Sequence, residues 1–218
     1  MEITYKNVFI VLTIRNSMVK SDFISKKEEY KIYIFRHGQT SFNREGLFTG
    51  WTDAKLTKKG KDDAEIVRMR MEKKKFQVAF HTSLSRSKDT LEIVMKNHKE
   101  CKLILEDDRM IERNYGNLNK KSHKNIVKKF SPEKYDEWHR SWDIRPPKGE
   151  SFADVELRVK SFLKDLRKFI KKNKCNVAIS AHGNSIRVLR KLMEGATKKE
   201  AVSWSIPYDN VLEYLIKV

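Results

Sequence analysis

The stretch KIYIFRHGQTSFN, residues 31–43, runs an apolar segment straight into Arg36, His37 and Gly38. The apolar part alternates with period two and is rich in Ile, Tyr and Phe, which predicts a strand. A strand that ends on two cationic-capable side chains and a glycine delivers chemistry at its carboxyl end. The rest of the chain supplies three further stretches of this kind. QVAFHTS, KLILED and NVAIS read as strands, and VLEYLIKV closes the chain as a fifth.

Helical patterns separate these strands. Thr57 caps a helix predicted to run to about Lys74, and Ser83 caps another to about Lys96. Pro132 enters a short helix through PEKYDEWHRSW. From Ser151, apolar residues at 152, 155, 159, 162, 166 and 169 describe a long amphipathic helix, and a last helix covers Asn184 to Glu194. Strands alternating with helices predict an α/β fold, a three-layer sandwich with a mainly parallel central sheet and helices on both faces. NVAIS, nearly all apolar, belongs near its centre. The stretch 113–131 shows no clean period, and RPPKGE is loop.

With 218 residues the chain suffices for one such domain. Residues 30–218 form it, and residues 1–29 read as an N-terminal extension: an added edge strand, a flexible arm or a targeting segment. VFIVLTI at 8–14 is too short to span a bilayer and makes a poor signal peptide. The net charge of +18 invites a nucleic-acid partner. Yet the lysines spread over almost every surface segment without interleaved aromatic residues, which favours a solvated lysine-rich surface that draws anionic small molecules toward a cleft. Two cysteines, Cys101 and Cys175, exclude a disulfide framework and read as buried free thiols in a reducing, cytoplasmic setting.

In sheets of this class ligands bind beyond the carboxyl ends of the strands. The first strand delivers Arg36, His37 and Gly38, and the second Thr82, Ser83 and, one helical turn on, Arg86. The third delivers Glu112, Arg113 and Tyr115, and the fourth His182, Gly183 and Asn184. A lone histidine at a strand end is usually structural; four strand ends with complementary chemistry are not. The set suits phosphoryl transfer. Arginine forks bind phosphate oxygens, a neutral imidazole can accept a phosphoryl group, and Gly38 allows close approach. A second histidine kept cationic by the phosphate stabilises developing charge, and Glu112 protonates the leaving alcohol. No Gly-rich phosphate loop or aspartate cluster for magnesium exists, and the scheme needs no metal.

FRHGQTSFN, GLFTGWTDAKLTKKG, HTSLSRSKDTLEIV, IERNYGNLNKK and SAHGNSIRVL together resemble, in that order, the cofactor-dependent phosphoglycerate mutases of the histidine phosphatase superfamily. The resemblance covers about residues 31–218. It implies a phosphohistidine enzyme with His37 as nucleophile, Arg36, Arg86 and His182 completing the phosphate pocket with help from Asn43, and Glu112 as acid/base. Thr49, Gly50, Arg113, Tyr115, Arg140, Gly183 and Asn184 would bind substrate. His123 stands where mutases carry a lysine, with Lys120 and Lys121 as replacements, and His139 stands where they carry an arginine. The segment after WDIRPP is cut to KGES, and the mutase tail is missing. A mutase must keep water from its phosphohistidine, so these losses favour a phosphatase acting on a small anionic phosphoester or a phosphorylated protein residue. The alternative is a phosphoglycerate mutase primed by 2,3-bisphosphoglycerate; one of another class is a weakly active binding or scaffold homologue. A homodimer is expected by resemblance only.

Overall fold

Five strands form one sheet in the order β3-β2-β4-β1-β5 in the computed structural model, which describes residues 29–217. They are β1 (Glu29–Arg36), β2 (Val78–His81), β3 (Leu103–Glu106), β4 (Val177–Ala181) and β5 (Val211–Lys217). β1 to β4 run parallel and β5 pairs antiparallel with β1 at one edge. β4 takes the centre and is buried along its whole length, as its nearly all-apolar run suits. The extension expected at residues 1–29 lies outside the described residues but for Glu29, which opens β1.

The period-two alternation of β1 splits the core. Ile32 and Ile34 join Val177, Ile179 and Ala181 on one face; Tyr33 and Phe35 join Ala79 and Ala178 on the other. The first face is covered by α6 (Phe152–Asn173) and α7 (Gly183–Glu194), the second by α2 (Lys58–Met71) and α3 (Ser85–Met95). α6 buries Phe152, Val155, Val159, Phe162, Leu163, Leu166 and Ile170 on one stripe. Each such side chain is worth about 1.5–3 kcal/mol relative to exposure. Its start is fixed by a capping box in which Ser151 and Asp154 satisfy each other's backbone N–H groups.

Several boundaries differ from the sequence reading. α2 is capped by Thr57 but stops at Met71. α3 begins at Ser85, and Ser83 is not its cap: the Ser83 N–H and hydroxyl both donate to Asp108 instead. The irregular stretch after β1 contains a one-turn helix, α1 (Ser41–Arg44), and the unassigned region contains α4 (His123–Phe130) ahead of α5 (Pro132–Arg140). α8 (Lys198–Ser203) was also not expected. α4 buries only Ile126 and α8 only Ala201, too little apolar surface for a readable period. Cys175 is buried as expected, whereas Cys101 is only partly covered; both are free thiols.

Candidate active site

Strand register builds the floor of the site. Arg36 pairs with Ala181, so His37 and His182, the next residues, leave the sheet side by side. The His37 N–H donates to Ala181 O at 3.0 Å, and the two imidazole centroids lie 5.0 Å apart. His37 Nδ1 sits 2.8 Å from the carbonyl of Gly38. A carbonyl only accepts, so Nδ1 carries the proton and the lone pair is on Nε2. Burial, then the charges of Arg86 and Arg36, hold the His37 pKa well below the usual histidine value, against a weaker upward pull from that hydrogen bond. His182 Nε2 meets Thr82 Oγ1 at 2.8 Å, and its Nδ1 is buried without a partner. Burial, Arg86 and His37 push its pKa down as well. The protein by itself therefore holds His182 neutral; the cationic form expected from sequence requires the charge of a bound phosphate.

The loop after His37 is pinned by backbone contacts. The Gly38 N–H donates to Thr90 Oγ1 at 3.1 Å. Gly38 and Gly60, the latter in the first turn of α2, lie so close that a Cβ on either would run into backbone of the loop or the helix. Only glycine fits at both.

Two arginines flank the imidazoles. Arg36 donates to Ile206 O at 2.9 Å and lies over the Tyr208 ring at 4.1 Å. Gly183, at the start of α7, lies beside the Arg36 guanidinium, where a Cβ would make ordinary contact at 3.4 Å. Arg86 is fully buried, donates to Thr52 O at 3.0 Å and Gly50 O at 2.8 Å, and has its pKa lowered to about 10 by burial. It stays cationic at neutral pH. Arg36 Nε, Arg86 Nε, His182 Nδ1 and Thr49 Oγ1 are all buried without hydrogen-bond partners. Each unmet buried polar group costs about 1–3 kcal/mol, and the guanidinium N–H donors beside His37 suit an oxyanion with several acceptors.

Glu112 closes the pocket from the loop after β3. Its Oε1 accepts from the N–H of Arg113 at 2.8 Å and of Asn184 at 3.2 Å, and no hydrogen bond engages Oε2. Its own carbonyl is held by Trp51 Nε1 and by Arg158, which is ion-paired with Glu150. The carboxyl group thus has one fixed oxygen and one available for proton transfer.

Beyond Glu112, Asn184 Nδ2 donates to the Tyr115 hydroxyl at 3.1 Å, and Arg187 donates to Asn184 Oδ1 at 3.0 Å. Arg113 lies between the rings of Tyr115 and Phe152, at 4.5 and 4.4 Å, and donates to His139 O. Arg140, exposed, donates to Val202 O. Arg187 was missed in the sequence, although its spacing of three from Asn184 within one helix was a usable signal. Its pKa is drawn down to about 10, by burial first and then by Arg140. Tyr208 and Arg158 were missed too, since each comes from a segment with no motif of its own, and Trp51 was passed over inside a quoted motif.

Not every expected residue joins the group. Asn43 Oδ1 is taken up by the capping box with Thr40, leaving its amide nitrogen for a ligand. Lys120 and Lys121 line a groove of about 540 Å³ with Leu118, Ile126, Phe130 and Trp138, and their backbone groups bond to Phe48, with Lys120 left-handed at φ 65°. Among the described residues, no three His, Cys, Asp or Glu side chains are grouped to hold a metal ion, and no helix is long and apolar enough to cross a membrane.

Comparison with known proteins agrees with this geometry. The profile of the histidine phosphatase superfamily (branch 1) matches residues 32–216. A phosphoglycerate mutase of Schizosaccharomyces pombe is 35% identical over 176 residues, 78% of this chain and 82% of the relative. A 2,3-bisphosphoglycerate-dependent phosphoglycerate mutase of Bartonella henselae is 32% identical over 179 residues, 80% and 86% of the two chains. Among solved structures, mycobacterial glucosyl-3-phosphoglycerate phosphatase complexed with VO3 shares the fold, with a TM-score of 0.75 and 20% identity over 84% of this chain and 90% of that one. Paired His-Gly strand ends, two flanking arginines and a match that runs from β1 to β5 place this chain in branch 1 of the histidine phosphatase superfamily.

Proposed function

We propose that this protein hydrolyses phosphomonoesters through a phosphohistidine on His37, within a catalytic domain of residues 30–218. His37 Nε2 attacks phosphorus, the bond from phosphorus to the alcohol oxygen breaks, and Glu112 gives its proton to that oxygen. The Glu112 carboxylate then takes a proton from water, whose oxygen attacks phosphorus. The P–N bond breaks, releasing phosphate and the neutral imidazole. Arg36, Arg86 and His182 bind the phosphoryl oxygens and gain strength as charge spreads onto them. Asn43 and Thr49 assist at that end. Tyr115, Arg113, Arg140, Gly183, Asn184 and the backbone of Gly50 line the substrate side. The route calls on no metal and no cofactor.

The observation that carries the phosphoryl-transfer reading is the neutral His37, its lone pair on Nε2, among buried unpaired donors of Arg36, Arg86 and His182. Hydrolysis rather than transfer is supported by the short crossing into α6, where the Gly149 N–H folds back onto Pro146 O at 2.9 Å just before the Ser151 cap. So tight a turn gives little cover against water. The second reading, a mutase primed by 2,3-bisphosphoglycerate, is favoured by the names of the relatives. A small-molecule phosphoester substrate and a cytoplasmic location fit both. Among the described residues β3 is an unpaired sheet edge with exposed Leu103 and Ile104, which supports the homodimer expected from the resemblance.

Phosphate release and 2-phosphoglycerate formation, measured side by side on 3-phosphoglycerate with and without 2,3-bisphosphoglycerate and on an aryl phosphate, separate the readings. Phosphate release with little 2-phosphoglycerate is expected. Rapid, cofactor-stimulated 2-phosphoglycerate formation would replace the hydrolase with the mutase.

A further inference from the structure

The segment between α8 and β5, residues 204–210, is neither helix nor strand, yet it holds two arginines of the site. Trp204 O accepts from Arg187 Nε at 2.9 Å, and Ile206 O accepts from Arg36 Nη1 at 2.9 Å. Ile206 is buried in the core, which fixes that second carbonyl. Two residues on, the chain turns, and the Arg36 guanidinium lies over the Tyr208 ring, with Cζ 4.1 Å from the centroid. The turn is tied to α2, from which Arg70 donates to Asn210 Oδ1 at 3.1 Å and to Asp209 Oδ2 at 3.5 Å.

Tyr208 does little for the core. It is half-buried and belongs to neither of the hydrophobic clusters that flank the sheet. The ring contacts found for it among the described residues are with Arg36 and with His37, the latter at 6.3 Å between centroids. Its place is thus defined by the two residues that leave β1 for the phosphate pocket. Arg36 needs such a support. An arginine side chain has several rotatable bonds, and an unanchored one has to be ordered anew by each incoming phosphate. The face of a tyrosine ring attracts a guanidinium held over it, while the Ile206 carbonyl takes one Nη1 hydrogen. Arg36 Nε stays buried without a partner. The two contacts therefore fix the guanidinium and still leave an N–H for an oxyanion.

We propose that Tyr208 is a positioning residue for phosphoryl transfer, its ring and the Ile206 carbonyl together holding the Arg36 guanidinium with its Nε–H ready for the phosphoryl oxygens. The ring does this, not the hydroxyl. The role rests on the phosphohydrolase reading and acts through Arg36 rather than on the reacting atoms.

The full chain carrying Tyr208→Leu or Tyr208→Phe, assayed for aryl phosphate hydrolysis and for orthophosphate binding by titration calorimetry, tests it. Leucine keeps apolar bulk and loses the π face. That variant is expected to bind orthophosphate about tenfold more weakly and to lose about tenfold in kcat/KM. Phenylalanine keeps the face and should stay within about twofold of the wild type on both counts. Should the leucine variant fail to fold by circular dichroism, Tyr208→Met replaces it with the same expectation. In an Arg36→Gln background, where Arg86 and His182 still face the anion, Tyr208→Leu should cost no further affinity. Unchanged binding and turnover in the leucine variant overturn the positioning role and leave the hydrolase standing. So does a loss shared by the phenylalanine variant, or a loss that multiplies with that of Arg36→Gln. Orthophosphate binding that follows the expected order in a protein without phosphatase activity overturns the hydrolase and bears out the hold on Arg36. A wild type that neither binds orthophosphate nor turns over aryl phosphate overturns both.

Discussion

The floor of the site and the ring cluster around Phe48 are built by different means. His37, Arg36 and His182 stand one residue or less beyond paired strands, and Arg86 sits in the first turn of a helix packed on the sheet. Their positions are fixed by sheet register, and their charges by burial against one another. His123, Tyr135 and His139 stand on α4 and α5, short helices that each bury a single residue and rest on Phe48. The lesson is that strand register fixes the paired imidazoles, whereas the ring cluster is held only by two short helices packed on Phe48. Substitutions in the floor should change rate by orders of magnitude for every substrate, and substitutions in the ring cluster by far less.

The largest expected effect is at His37. His37→Ala should cut kcat by about 10⁴–10⁶ for all phosphoesters, with loss of acid-labile labelling by phosphate donors. Labelling that survives in this variant would move the nucleophile elsewhere and break the division. Glu112→Gln should come next, lowering kcat/KM on alkyl phosphates by about 10²–10⁴ while sparing aryl phosphates with good leaving groups. Equal losses on both would remove Glu112 as the proton donor. The smallest effect concerns the floor alone. His37 and His182 titrate well below the unfolded value of 6.5, so the unfolded chain binds more protons below that pH. Stability should be fully present above about pH 6.5 and fall below it, by about 1.4 kcal/mol per pH unit for each imidazole held neutral. Urea midpoints from pH 7.5 to 5 measure this. Phosphate should flatten the slope, because a bound anion allows His182 to keep its proton. A slope unchanged by phosphate would separate His182 from the anion site.

What could be read in the sequence follows the same division. Alternation of Ile32 and Ile34 against Tyr33 and Phe35 carries both faces of the core, and the strand ends carry the floor, so both were legible. The capping serine of α6 was equally plain. α4 was not, because HKNIVKKF offers one buried residue to set against three lysines, a histidine and an asparagine. Lys120 and Lys121 were expected at the pocket because neighbours in sequence were taken as neighbours in space. Lys120 is left-handed, a conformation that costs a side-chain-bearing residue about 1 kcal/mol, and both lysines line a groove with Leu118 and Trp138. Ser83 misled in a smaller way: a serine two residues before a helix is as good a partner for Asp108 as for a helix N–H. Arg187 lay inside a motif that was read only to its asparagine.

The contact between Gly38 and Gly60 has a mechanical consequence. Protein interiors ordinarily meet through side chains, which turn and slide and so absorb small displacements. Here the first turn of α2 bears on the catalytic loop backbone to backbone, with no such cushion between them. The Gly38 carbonyl that sets the proton on His37 belongs to that same loop. Any shift of α2 is then passed, undamped, to the hydrogen bond that orients the His37 imidazole, so the stiffness of one helix sets how firmly that ring is held.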